Sequence, residues 1–134
     1  MSHVCILAAD KKLPLCSRQE MRTVQSRNTA ITFQQGFQLE ELIYYHQAVA
    51  DLNYPMKPFL YELSLEENEL DLRNFRRYCA ENFSQGETLE LWSVWVGDVN
   101  QKIPPHYRGT FQDFDMEALK QFLSAKEICL TITM

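Results

Sequence analysis

A chain of 134 residues, 46% hydrophobic and 23% charged, has the size and composition of one globular domain, which excludes a disordered or fibrous chain. Its net charge of −5 is unevenly spread: residues 9–29 hold five basic and two acidic side chains, a balance of +3, against eight basic and sixteen acidic elsewhere, a balance of −8. An acidic body repels phosphates, so nucleic acid is not an expected partner.

The first apolar run, Val4 to Ala9, is six residues long and is followed at once by Asp10, Lys11 and Lys12. It is too short for a secretory leader or for the ~20 apolar residues of a membrane span, so no membrane role and a cytoplasmic location are expected. Residues 3–8 read as a strand. Residues 9–29 then read as a long basic loop or irregular segment with no clear period; it either folds against the acidic body or engages an acidic partner. A short helix or strand within it is left open.

Residues 30–34 form a weaker strand candidate. Leu39, Leu42, Ile43, Val49 and Ala50 fall on one stripe at helical spacing, which predicts a helix over 39–52. Two prolines, Pro55 and Pro58, break the chain after it. Phe59, Tyr61, Leu63 and Leu65 alternate with polar neighbours, as a strand with one buried face does.

Asn68 is placed to cap the next helix, with acidic residues near the positive end of its dipole. Leu72, Phe75, Cys79 and Phe83 make its apolar stripe, and Gly86 stops it. Over residues 88–96, Leu89, Leu91 and Trp95 point one way and Trp92, Val94 and Val96 the other. Apolar residues on both faces predict a central strand. Residues 97–112, with Pro104-Pro105, read as a loop. Asp113 or Asp115 caps a last helix with the stripe Met116, Leu119, Phe122 and Leu123, and residues 128–134 alternate as a final strand.

The predicted class is α+β, a single domain over 1–134. It is expected as a two-layer sandwich with a mixed sheet of about five strands and three helices mainly on one face. Two strand–helix–strand crossovers favour parallel, right-handed connections if the strands they join share one sheet.

Chemistry-bearing residues are sparse. The four glycines are widely separated, so there is no phosphate-binding loop, and the histidines His3, His46 and His106 make no local ligand pair. Neither a metal nor a cofactor is expected. The cysteines Cys5, Cys16, Cys79 and Cys129 lack metal or redox spacing and read as reduced, mostly buried thiols. His46 falls on the stripe of the first predicted helix, where it is either a general base for a thiol or a hydrogen-bonded residue at the core edge. Carboxylates such as Glu87, Glu90, Asp98, Asp113 and Asp115 occupy strand ends and helix starts, which capping and solvation explain.

Ile103-Pro104-Pro105-His106-Tyr107-Arg108-Gly109 joins an imidazole, a phenol and a guanidinium to a stiff corner. His106, Tyr107 and Arg108, with His46, are therefore the candidate ligand-binding residues; the alternative is a rigid connection with Tyr107 packed on the sheet. Trp92 is the candidate for an interaction surface if one sheet face is bare, with Trp95 on the helix side or the reverse.

The stretches Met56-Lys57-Pro58-Phe59-Leu60-Tyr61-Glu62-Leu63, Leu89-Glu90-Leu91-Trp92-Ser93-Val94-Trp95-Val96-Gly97-Asp98 and Phe114-Asp115-Met116-Glu117 resemble small uncharacterised proteins of Gram-positive bacteria. The resemblance covers roughly the C-terminal two thirds of the chain and implies a bacterial, cytosolic origin; no activity and no functional residue travel with it. The leading expectation is a non-enzymatic interaction or regulatory protein, homodimeric through a sheet edge such as the last strand or through an open face. The alternative is a small ligand-binding protein or enzyme that uses the 103–109 segment with a histidine or cysteine.

Overall fold

A computed structural model describes residues 2–17, 20–97 and 102–134; Arg18 of the basic segment and Asp98 lie outside the described residues. In chain order the elements are β1 (Ser2–Ala9), β2 (Glu20–Ser26), β3 (Thr29–Gln35), β4 (Gln38–Glu41), α1 (His46–Leu52), β5 (Phe59–Ser64), α2 (Glu69–Asn82), β6 (Thr88–Val96), β7 (His106–Thr110), α3 (Met116–Ser124) and β8 (Ile128–Thr133). A 3-10 turn over Phe111–Asp113 links β7 to α3.

The architecture is α+β. Six strands form one mixed sheet in the order β4-β5-β1-β6-β8-β7, and β2 pairs with β3 as a separate two-stranded sheet. All neighbours in the large sheet are antiparallel except β7 and β8. β6 lies between β1 and β8, as expected of a strand apolar on both faces. β5 and β6 each run antiparallel to β1, so the crossover through α2 joins strands of like direction with β1 between them.

One face of the sheet carries Leu7, Leu63, Leu89, Leu91 and Ile132 beneath Leu72, Phe75, Tyr78 and Cys79 of α2 and Leu119 and Phe122 of α3. The helix ends follow from local chemistry. Asn68 Oδ1 accepts from the Asp71 amide at 2.8 Å and Asp71 Oδ2 from the Glu66 amide at 2.8 Å, while Asp115 Oδ1 accepts from the Ala118 amide at 3.0 Å.

α1 departs from the expected layering because it packs on the opposite face. There Leu42 and Val49, with partly buried Ala48, Leu52 and Tyr54, cover Val4, Ile6, Ala8, Trp92, Val94, Val96 and Cys129. The centre of the sheet is therefore covered on both faces, and Trp92, at 2% exposure, is no surface residue. Its ring stacks on Tyr54 with centroids 5.9 Å apart, and its Nε1 donates to Glu90 Oε1 at 3.1 Å.

The predicted helix over 39–52 is also corrected. Leu39 belongs to the core under α2 and Leu42 to the core under α1, so the chain passes around the sheet edge between them. Residues 38–41 form β4 instead, paired with β5, and only His46–Leu52 is helical. Ile43 and Tyr44, on or beside the supposed stripe, are exposed.

Two supposed loops contain strands. In residues 9–29, Ala9 belongs to β1 and residues 20–26 are β2, joined to β3 by a two-residue turn in which Arg27 takes φ 51°. In residues 97–112, 106–110 are β7. As a result the last strand is not an edge: β8 lies inside, between β6 and β7, and the sheet ends at β4 and β7.

Candidate functional site

The two sheet edges differ. β4 is overlaid by the preceding chain, since Cys16 and Leu39 exchange backbone hydrogen bonds of 3.0 and 2.7 Å. The same stretch is pinned from below, where the Leu13 amide donates to Tyr61 Oη at 2.8 Å and Tyr78 Oη donates to the Pro14 carbonyl. At the other end, β7 is the outermost strand. The Pro105 carbonyl accepts from the Cys129 amide at 2.9 Å, so the two-residue period of the strand turns the amides and carbonyls of His106, Arg108 and Thr110 away from β8, toward the outer edge.

Beside that edge lies a groove of about 520 Å³ between β7, β8 and α3. Its floor is Leu130 and Ile132 of β8, its far wall Ala118, Gln121, Phe122 and Ala125 of α3, and its near wall Tyr107 and Gly109 of β7. Asp113 and Glu127 bring carboxylates to it, and Arg108 lines it too. The groove is open beside Gly109, where a Cβ would meet nothing within 4 Å. A glycine inside a strand often marks the close approach of another backbone or a ligand. The end of the groove is fixed by Arg76, whose Nη1 donates to the carbonyls of Phe111 (2.8 Å) and Phe114 and whose guanidinium lies 4.3 Å over the Phe111 ring.

The residues singled out in the sequence do not converge. Tyr107, 56% exposed, lines the groove with its side chain; Arg108 borders it, but its side chain shares the face of Thr131 and acts on Cys129 across from the groove. His106 points to the opposite face, where Nε2 meets Thr131 Oγ1 at 2.6 Å. His46 opens α1 as an exposed residue outside the groove lining, so the expected core-edge position is not observed. Trp92 is buried beneath the α1 segment. The signals that could have located the groove are Gly109, a break in an otherwise side-chain-bearing strand, and the small residues Ala118 and Ala125 facing it.

A second constellation escaped sequence reasoning because its members are far apart in the chain. Cys5 and Ser93 are register partners across β1 and β6, Ser93 Oγ meets His3 Nε2 at 2.5 Å, and the His3 ring lies 5.1 Å from Trp95. It lacks an activated nucleophile, since burial pushes the Cys5 thiol up from its ordinary value and the Ser93 hydrogen bond only partly offsets this. Cys79 and Cys129 are pushed up to about 12, foremost by burial, with the charge of Glu90 adding to it at Cys129 and Arg108 opposing it. Cys16 is raised as well, by burial first. None of the four cysteines is in a disulfide, and no cluster of three or more metal-ligating side chains exists among the described residues. No helix among the described residues is long and apolar enough to cross a membrane.

No family model, curated protein or solved structure matches the chain.

Proposed function

We propose that the protein is a non-enzymatic interaction module that captures an extended polypeptide segment by adding it to β7. The observation that carries this reading is the open groove alongside β7, the outermost strand among the described residues, with Gly109 leaving the groove face of that strand open to a partner's side chains. In strand addition, main-chain hydrogen bonds along the edge supply affinity and alternate side chains enter a neighbouring pocket. Here the outward groups of His106, Arg108 and Thr110 would provide the ladder and the α3 side of the groove the pocket. Tyr107 gives an aromatic contact at the site, while the Arg108 backbone belongs to the ladder. Four cysteines outside any disulfide and the resemblance to Gram-positive bacterial proteins favour a bacterial cytoplasm as the place of action, and the acidic balance favours a protein partner over nucleic acid.

The test is panning of a displayed library of extended peptides against the folded chain, followed by amide hydrogen exchange and two-dimensional NMR with a selected peptide. The Arg108 amide should become protected, shifts should cluster on β7 and α3, and Gly109→Phe should abolish binding. Selected peptides that leave the Arg108 amide unprotected refute strand addition.

A second reading rests on the size and lining of the same groove, which suit a small apolar ligand. A fragment that shifts Leu130, Ile132 and Phe122 without protecting Arg108 would favour it.

A further inference from the structure

The β2–β3 hairpin is the least buried element of the protein. Every described residue of both strands is exposed except half-buried Gln35. Residues paired across the hairpin share a face, so Val24 opposite Ile31 and Arg22 opposite Phe33 form one continuous surface. Val24, Ile31 and Phe33 are 44%, 61% and 42% exposed. A two-stranded hairpin alone in water is marginal at best, so this element calls for a cover. The body of the same molecule supplies little: a space of about 630 Å³ separates Arg22 and Phe33 from the start of α2, and it is lined largely by polar groups such as Gln34, Glu66 and Glu69.

We infer that the segment added to β7 is the β2–β3 hairpin of a second copy of this chain, exchanged reciprocally across a two-fold axis; this rests on the strand-addition reading of the groove. Three observations select this occupant. The hairpin has outer edges to offer, apolar side chains at alternate positions to insert, and two arginines, Arg22 and Arg27, with no acidic residue over 21–35. The receiving groove has a free edge, an apolar floor, and carboxylates at Asp113 and Glu127, on a body whose balance outside residues 9–29 is −8. The hairpin is also rooted at the wrong end of its own sheet, since it leads directly into β4. Five strand spacings, about 24 Å, separate β4 from β7. Each copy therefore gives one hairpin and receives one, which closes the assembly as an isologous dimer.

The test is light scattering coupled to size exclusion on the full chain over a wide dilution series, with native mass spectrometry of mixed variants. The parent should be a dimer that weakens with added salt. Ile31→Glu, a change on an exposed strand, and Gly109→Phe, which fills the groove, should each weaken dimerisation at least about tenfold, ~1.4 kcal/mol. Circular dichroism should show both variants folded. Mixed at the highest concentration of the series, the two should form a heterodimer, because the Gly109→Phe chain keeps a working hairpin and the Ile31→Glu chain an open groove.

A monomeric parent overturns the inference, as does a Gly109→Phe chain that still dimerises, which would show hairpins pairing with each other. A mixture that never yields the heterodimer also overturns it. If the parent is monomeric while a selected peptide still protects the Arg108 amide, the inference fails and the strand-addition reading stands; if no peptide does so, the reading itself has failed.

Discussion

Replacing Trp92 measures how firmly the α1 side of the sheet is closed. Its indole is 2% exposed, stacked on Tyr54 and hydrogen-bonded to Glu90, within a core of Val94, Val96, Ile6 and Val49. Truncating a buried tryptophan to alanine costs about 3–5 kcal/mol in lost transfer free energy and residual cavity. An exposed tryptophan would cost within about 0.5 kcal/mol. Unfolding entropy near ~2.1 cal/mol/K per residue over 134 residues gives roughly 0.28 kcal/mol/K, so Trp92→Ala should lower Tm by about 11–18 °C.

Trp92→Phe separates two components of that loss. It keeps an aromatic ring against Tyr54 and removes the N–H that Glu90 accepts, while Glu90 Oε1 still receives the Lys57 amide at 2.9 Å. The expected loss is smaller, about 1–2 kcal/mol, or roughly 4–7 °C. Calorimetry with circular dichroism as a second probe reads both. A Trp92→Ala chain that melts within about 2 °C of the parent would show that the α1 segment does not seal this face, and the two-sided core would be wrong. Should Trp92→Ala fail to fold, the Phe variant still decides, because an exposed ring would give no measurable loss.

Two further outcomes follow from ionisable groups. Glu87 accepts from the Ser84 amide and from Lys11 Nζ at 2.9 Å, and these bonds hold its carboxyl below the ordinary glutamate value. A depressed folded-state pKa contributes stability above the unfolded value and loses it as pH falls through the folded one. Glu87→Gln should therefore be less stable than the parent at neutral pH, and the gap should close in acid; urea unfolding at both pH values checks this, and a gap that persists in acid contradicts it. With all four thiols raised by burial, the native chain should react slowly with a thiol reagent at mildly alkaline pH and release full reactivity only on unfolding. A fast native phase from Cys5, Cys79 or Cys129 would contradict their burial.

Much of the sheet was legible because its central strands obey a simple rule. Residues 88–96 are apolar on both faces and lie centrally, and residues 59–64 alternate and form β5. The caps Asn68 and Asp115 were legible for the same local reason, since their side chains satisfy nearby amides. Three elements were not. β2 has no clear apolar period, and Arg27-Asn28 replaces the Asn-Gly that announces a tight hairpin, so only its partner β3 was marked, as the strand candidate over 30–34. β4 was hidden because Leu39 and Leu42 lie at helical spacing while serving cores on opposite faces. β7 follows two prolines and contains a glycine, both ordinary loop signals. Site residues suffered likewise: Tyr107 reaches the groove, but the period of two that places it there turns the side chains of His106 and Arg108 to the opposite face.

The placement of β7 also decides what kind of partner this edge can take. A terminal strand at an edge would fray, but β7 is held at both ends, by Pro104-Pro105 on one side and by the Arg76-pinned 3-10 turn on the other. The parallel crossover through α3 brings β8 inward and leaves β7 outside it, so the uncovered edge is a rigid internal template. Its five residues set a short ladder, and the prolines cannot extend it because they carry no amide donor. Natural sheets blunt such edges with charge or with covering chain, and β4 shows the second device at Cys16. β7 carries only Arg108 among its charged groups and faces an apolar groove. That combination leaves the edge open to unwanted pairing unless a partner segment of at least matching length is present, and a seven-residue strand such as β2 is long enough to span it.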